Sequence, residues 1–392
     1  MKKILAMLLA LVMVMGLVAC GTDAPETTAP VETTPAESTP AETTPAVSDV
    51  EYKIAMITDY GDITDQSFNQ TTYEAVKAFS EANGISYNYY KPSGDSTAER
   101  VAMVDAAIVD GYNVIVMPGF AFGETLAEVA DLYPEIKFIA LDVAEGEGGF
   151  TATENVFSAV YQEELSGYMA GYAAVKLGYK HLGYLGGMAV PAVQRFGYGY
   201  LQGIDAAAKE LGIVGDIKVE SVYGNQFYGD ADITAVMDTW YGEKGVECVF
   251  ACGGGIWTSA AEAAAKVGGK VIGVDVDQAA IIDAAYGEGM TVTSAMKGLA
   301  PTVQTVLSAI VLEDNWAAYA GKIETLGLVS ADPEANYVQI PMASTQFAEG
   351  FTAEDYSALV AGMFEGTVAV SGDISAFPTT EVAVETYADI KG

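Results

Sequence analysis

The stretch IAMITDYGDITDQSFNQ, residues 54–70, holds a buried strand, an acidic loop and a helix start in succession. Ile54, Ala55, Met56 and Ile57 form a continuous apolar run, the pattern of a strand covered on both faces in a parallel sheet. Asp59 stands just past its end, and Gly61, Asp62 and Asp65 make a turn-rich loop. A helix then begins near Ser67, with Phe68, Ala75, Val76 and Phe79 on one face. Ligands of open α/β sheets sit beyond the carboxyl ends of the strands, which is where this loop lies.

Outward from this segment the same alternation repeats. Apolar runs at 53–58, 85–89, 114–117, 136–141, 181–185, 217–222, 248–251, 271–274 and 291–296 read as strands, with helical segments between most of them. Ser96 and Glu99 form a capping box that starts the second helix near Thr97. Alternating strands and helices imply doubly wound parallel sheets with helices on both faces. The length from residue 51 to 392 suggests two lobes. The expected division is 51–154 with about 297–330 for the first lobe, and 155–296 with about 331–392 for the second. A long helix at about 160–177 carries Gly167 and Gly171 on one face, a spacing that admits a closely packed neighbour. A further helix is expected at 302–312, and segments at 336–341 and 352–364 return to the lobes.

The first fifty residues read differently. Met1-Lys2-Lys3, an apolar run to Val18 and the ending Leu17-Val18-Ala19-Cys20 have the layout of an export signal over 1–19. That run is shorter than the roughly 20 residues a spanning helix needs. The ending resembles a bacterial lipobox, which implies cleavage before Cys20 and a lipid on that cysteine, on the extracytoplasmic face of the cell membrane. Residues 20–50 are rich in Thr, Pro and Glu, too polar to offset chain entropy by burial, so a disordered tether is expected.

The chain has 53 acidic against 18 basic residues, a net charge of −35, and the signal takes two of the bases with it. Such a body repels nucleic acid and anionic headgroups, leaving the lipid as its only expected membrane contact. Cys248 and Cys252, four apart along a strand, would lie on one face about 13 Å from each other, too far for a disulfide. The single histidine, His181, excludes a multi-histidine metal centre.

If the sheets are parallel, the residues after each strand converge on one rim. They are Asp59, Pro118-Gly119-Phe120, Asp142, Gly186-Gly187-Met188, Tyr223 with Phe227, Gly253-Gly254-Gly255, Asp275 and Lys297. Carboxylates accept from hydroxyls and ring N–H groups, lysine donates, aromatic rings stack and glycines allow close approach, which suits a flat, neutral, polyhydroxylated ligand. Asp62 and Asp65 read as turn and capping residues. No phosphate loop or nucleophile elbow occurs, and the acids of DYGDITD are spaced by three rather than two, unlike a calcium loop. The glycines of Phe196-Gly197-Tyr198-Gly199 fall in a helical stretch and read as helix packing. No catalytic residue, cofactor or metal is expected.

The runs IAMITDYGDITDQSFNQTTYEAVKAF, GYNVIVMPGFAFGETLAEVADLYPEIKFIALD, IGVDVDQ and TSAMKG together resemble the basic membrane protein family of lipoproteins over about 52–298. The best understood members of that family are purine nucleoside receptors feeding ABC transporters. The resemblance implies a type I periplasmic-binding fold, a monomer whose two lobes close on a nucleoside, and ABC permease subunits as partners. It implies that Phe68 stacks on the base with Asn69 and Asp59 beside it, and that Asp142 bonds the base edge. Phe227 would form the other side of the sandwich, while Gly253 or Gly254, Asp275 and Lys297 hold the ribose. This chain reads Tyr-Gly-Asp-Ala after Phe227 where the family pattern reads Asp-Pro-Ala-Lys, so Tyr223, Phe196 and Tyr228 stand as alternatives to it. Two other readings of the rim remain: a binder of a sugar or similar small polar solute, and a nucleoside hydrolase using Asp59 and Asp62.

Overall fold

The computed structural model describes residues 50–392; the export signal, Cys20 and the tether through residue 49 lie outside the described residues. The chain runs β1 (Lys53–Ile57), α1 (Phe68–Asn83), β2 (Ser86–Tyr90), α2 (Thr97–Val109), β3 (Val114–Pro118), α3 (Phe122–Val129), β4 (Lys137–Leu141) and β5 (Val156–Tyr161). It continues with α4 (Glu163–Lys176), β6 (His181–Gly186), α5 (Pro191–Leu211), β7 (Lys218–Tyr223), α6 (Ala231–Asp238), β8 (Cys248–Cys252), α7 (Trp257–Ala265), β9 (Lys270–Asp275), α8 (Ala279–Tyr286) and β10 (Thr291–Lys297). Then come α9 (Leu299–Val311), β11 (Lys322–Leu326), β12 (Val338–Gln339), α10 (Ala353–Phe364) and β13 (Ala383–Thr386).

Two sheets result, ordered β11-β5-β4-β3-β1-β2 and β12-β10-β9-β8-β6-β7-β13. Every pairing is parallel except that of β12 with β10. The continuous apolar runs are explained by burial on both faces. In β1, Ile54 and Met56 pack with α1 and α9, while Ala55 and Ile57 pack with α2 and α3. In the second sheet, Cys248, Phe250 and Cys252 face α4 and α5, while Val249 and Ala251 face α6 and α7. Both cysteines are therefore free, buried and on one face, as their spacing requires.

The two sheets repeat one winding. Chain order reverses at β1 and β3 in the first and at β6 and β8 in the second, and ligands of such sheets bind at these switch points. Three segments cross between lobes: Gln162, Gly298 and the chain from β11 to β12. They are tied by Gln162 N–H to the Leu326 carbonyl (2.9 Å), Gly298 N–H to that of Tyr337 (2.7 Å) and Tyr337 N–H to that of Gly327 (3.1 Å).

Two expectations are corrected. The division after residue 154 falls one strand early, because β5 pairs with β4 and β11 in the first sheet. The helix expected from about residue 160 begins at Glu163, the preceding residues being the end of that strand. The glycine reading of this helix corresponds to its packing: a Cβ on Gly171 would lie 2.2 Å from the Tyr200 carbonyl oxygen of α5. A Cβ on Gly199 would lie 2.0 Å from that of Glu164, so α4 and α5 interlock at backbone contact.

Candidate functional site

The acidic loop after β1 is organised by its own side chains. Asp62 accepts from the backbone N–H and hydroxyl of Thr64 and pairs with Lys91 at the surface. Asp65 accepts from the N–H groups of Ser67, Asn69 and Gln70, satisfying donors that the start of α1 would otherwise leave open. That arrangement aims Phe68 and Asn69 into a cavity between the lobes.

The structure brings Asp59, Phe68, Asn69, Asp142, Phe227, Gly253, Gly254, Asp275 and Lys297 to this one cavity. Of the alternatives to Phe227, Phe196 also lines it; Tyr228 is 61% exposed, and Tyr223 packs edge-on against Tyr184. The glycine turn serves Phe227 directly. A Cβ on Gly254, which has φ +50°, would lie 2.7 Å from the Phe227 carbonyl oxygen, and one on Gly253 would lie 3.0 Å from its ring.

Two of the carboxylates are presented in an unusual way. Asp142 and Asp275 follow or end their strands with φ +61° and +66°, in the left-handed region that non-glycine residues rarely adopt. Such strain persists where surrounding structure holds it, and it concentrates at functional sites. Lys297 Nζ lies 2.5 Å from Asp142 Oδ2, 3.4 Å from Glu163 Oε1 and 3.8 Å from Asp275 Oδ1. The expected separation of a base-edge acid from a ribose pair is therefore not clean, since Lys297 joins them.

The cleft is closed. Ser67 Oγ donates to Asp275 Oδ2 at 2.6 Å, and Gln278 Nε2 donates to the Gln66 carbonyl at 3.0 Å, both across the lobes. At the mouth Tyr60 stacks on Phe120 with centroids 5.7 Å apart, and Phe227 of the other lobe lies 6.1 Å from Tyr60. Inside, Asp142 Oδ1 and Asn69 Oδ1 are buried acceptors with no hydrogen-bond partner. Buried oxygens of this kind are costly unless a ligand supplies donors.

The electrostatics follow from burial. Desolvation pushes Asp59 up to about 6, against the hydrogen bonds from Gly61 and Asn69. It pushes Asp142 up to about 7 against the pull of Lys297, and Glu164 up to about 7. For Lys297, burial favours the neutral amine, but Asp142, Glu163 and Asp275 outweigh it and hold the ammonium charged. The sign for stability is direct. Raised carboxyls bind more protons folded than unfolded, so their contribution is present below the ordinary carboxylate range and lost as pH rises through about 6 to 7. The thermal midpoint of the ligand-free protein is expected to fall between about pH 5 and about pH 8. A midpoint that rises across that window in a pH series of thermal scans would contradict this assignment.

Among the described residues no group of three or more His, Cys, Asp or Glu side chains could hold a metal ion. His181 sits at the opposite end of β6 from the cavity, with Nε2 3.0 Å from Glu220 Oε1. Sequence reasoning missed Ser67, Tyr60, Glu163 and Arg195. Arg195 Nε lies 2.6 Å from the fully buried Glu163 carboxylate.

A family model described as ABC transporter substrate-binding protein PnrA-like matches residues 52–331. The chain is 29% identical over 241 residues to the ABC transporter nucleoside-binding protein BmpA of Lactococcus lactis, a match covering 58% of this chain and 65% of that protein. It is 28% identical over 292 residues to basic membrane protein B of Borreliella afzelii, covering 70% and 78%. A solute-binding protein of an ABC transporter system from Aeropyrum pernix has the same fold, with a TM-score of 0.63, 23% identity and coverage of 81% and 87%.

Proposed function

This chain belongs to the family of PnrA-like ABC transporter substrate-binding proteins, and we propose that it captures a nucleoside, purine nucleosides foremost, in the closed cleft and delivers it to a permease. The family consists of substrate-binding proteins rather than enzymes, so the cleft captures without chemistry. The observation that carries the nucleoside reading is the combination of an aromatic face at Phe68 with two unpaired buried acceptors, Asp142 Oδ1 and Asn69 Oδ1, in one cavity. A flat base supplies the stacking partner and a donor edge, while ribose supplies hydroxyls for Asp275 and Lys297.

In this reading Phe227 and Phe196 wall the side opposite Phe68, and Asp59 and Asn69 meet the base. Lipid on Cys20 and the Thr/Pro-rich tether hold a monomeric body outside the cell membrane beside its permease. Among the described residues no helix is long and apolar enough to cross a membrane.

Calorimetry of the body against inosine, guanosine, adenosine and uridine tests the reading. Heat from the purine nucleosides is expected, and no heat from any of the four would sink it. Each 2′-deoxy analogue is expected to bind roughly 5- to 150-fold more weakly, because a missing hydroxyl leaves a buried carboxylate or ammonium short of a partner at about 1–3 kcal/mol.

A further inference from the structure

Lys297 is held from behind by a carboxylate outside the cavity wall. Glu163 opens α4 directly after the crossing at Gln162, and Lys297 ends β10 directly before the crossing at Gly298. Their contact, Glu163 Oε1 to Lys297 Nζ at 3.4 Å, therefore ties two of the three lobe crossings together. The other Glu163 oxygen is taken by Arg195 Nε of α5 at 2.6 Å, and the Glu163 side chain has no solvent exposure. Asp142, the remaining close partner of Lys297, belongs to the first lobe.

Charges buried together are costly to desolvate, and apolar side chains of similar volume in place of a whole buried network such as Arg195–Glu163–Lys297 often serve stability as well or better. Stability alone therefore does not account for Glu163. An ammonium has three protons to place. Asp142 Oδ2 at 2.5 Å and Glu163 Oε1 at 3.4 Å engage two of them, whereas Asp275 Oδ1 at 3.8 Å lies beyond hydrogen-bond length. Without the pull of Glu163 the ammonium is drawn wholly between Asp142 and Asp275, the two carboxylates that line the cavity.

We infer that Glu163, braced by Arg195, is a positioning residue of the ligand site: it holds Lys297 at the hinge so that one proton stays directed into the cavity and Asp142 keeps Oδ1 free. The ligand arm of the test rests on the nucleoside reading; the ligand-free arm does not.

The test compares Glu163→Gln, Lys297→Met and the double variant of the purified body. Without ligand, Glu163→Gln is expected to lower the thermal midpoint less in the Lys297→Met background than in the wild-type background; equal drops in both overturn the linkage. With inosine, Glu163→Gln is expected to raise Kd about tenfold or more, and to add less than about twofold once Lys297 is Met. The same fold loss in both backgrounds overturns positioning through Lys297. Glu163→Asp, which keeps the charge, is expected to fall between wild type and Glu163→Gln, and a Kd as weak as that of Glu163→Gln counts against the charge as the active feature. If Glu163→Gln does not fold, Arg195→Met, which releases the other oxygen, is measured with the same expected pattern. If the wild type takes up no nucleoside, the nucleoside reading falls, and the ligand-free comparison still decides the linkage.

Discussion

Replacing Phe68 by alanine is expected to raise the Kd for a purine nucleoside by roughly 5- to 150-fold, because base–aromatic stacking contributes about 1–3 kcal/mol per base. Phe68 is the first residue of α1, and its half-buried ring lines the cavity while packing against the edge of the first-lobe core. Lys297 Nζ lies 4.6 Å from the ring centroid, a cation–π contact that fixes the ring and is lost with it. The rest of α1 is anchored through Ala75, Val76 and Phe79, so the fold is expected to survive the change. Titration calorimetry supplies the Kd, and a thermal scan confirms folding. Phe68→Leu separates the terms: it keeps apolar contact but no planar face, and is expected to resemble alanine more than wild type. A folded Phe68→Ala protein with a Kd within about twofold of wild type would remove stacking from the account.

The largest stability effect is expected at the contact of α4 with α5. An alanine at Gly199 would place its Cβ 2.0 Å from the Glu164 carbonyl oxygen, and one at Gly171 would place it 2.2 Å from that of Tyr200. Both obstacles are backbone atoms of a facing helix, so relief requires the helices to separate. Overpacking costs about 1–3 kcal/mol where side chains can yield, and here they cannot, so each substitution is expected at or above the upper end. At about 1.4 °C per kcal/mol for a body of this length, Gly199→Ala should lower the thermal midpoint by roughly 4 °C or more. Nucleoside affinity should fall with it, since α4 carries Glu163 and α5 carries Arg195 and Phe196. An unchanged midpoint in Gly199→Ala would show that the helices do not meet at backbone contact.

Much of this arrangement was legible from local pattern. The run Ile54 to Ile57 alternates between two buried faces, as an apolar run without polar interruption must in a doubly wound sheet. Asp65 sits where the start of α1 needs acceptors, and Gly167 and Gly171 fall on one helical face because the helix repeat puts them there. β5 was hidden for a local reason. Its residues VFSAVY run into α4 with only Gln162 between them and no glycine or proline to mark the boundary. β11, half-exposed and of mixed polarity, offers no periodic signal at all.

By itself the sequence determined most of the elements, and the residues that follow the strands it marked onto the rim, because hydrophobic period, capping and turn chemistry act over a few neighbouring residues. Only the tertiary structure decided how the buried charges pair. Lys297 meets Asp142 across 155 positions and Glu163 across 134, and Ser67 meets Asp275 across 208. No local spacing encodes such partners. They follow from three lobe crossings that bring one strand end, one helix start and one loop together where water is excluded, and where Coulomb attraction between specific atoms outweighs sequence distance.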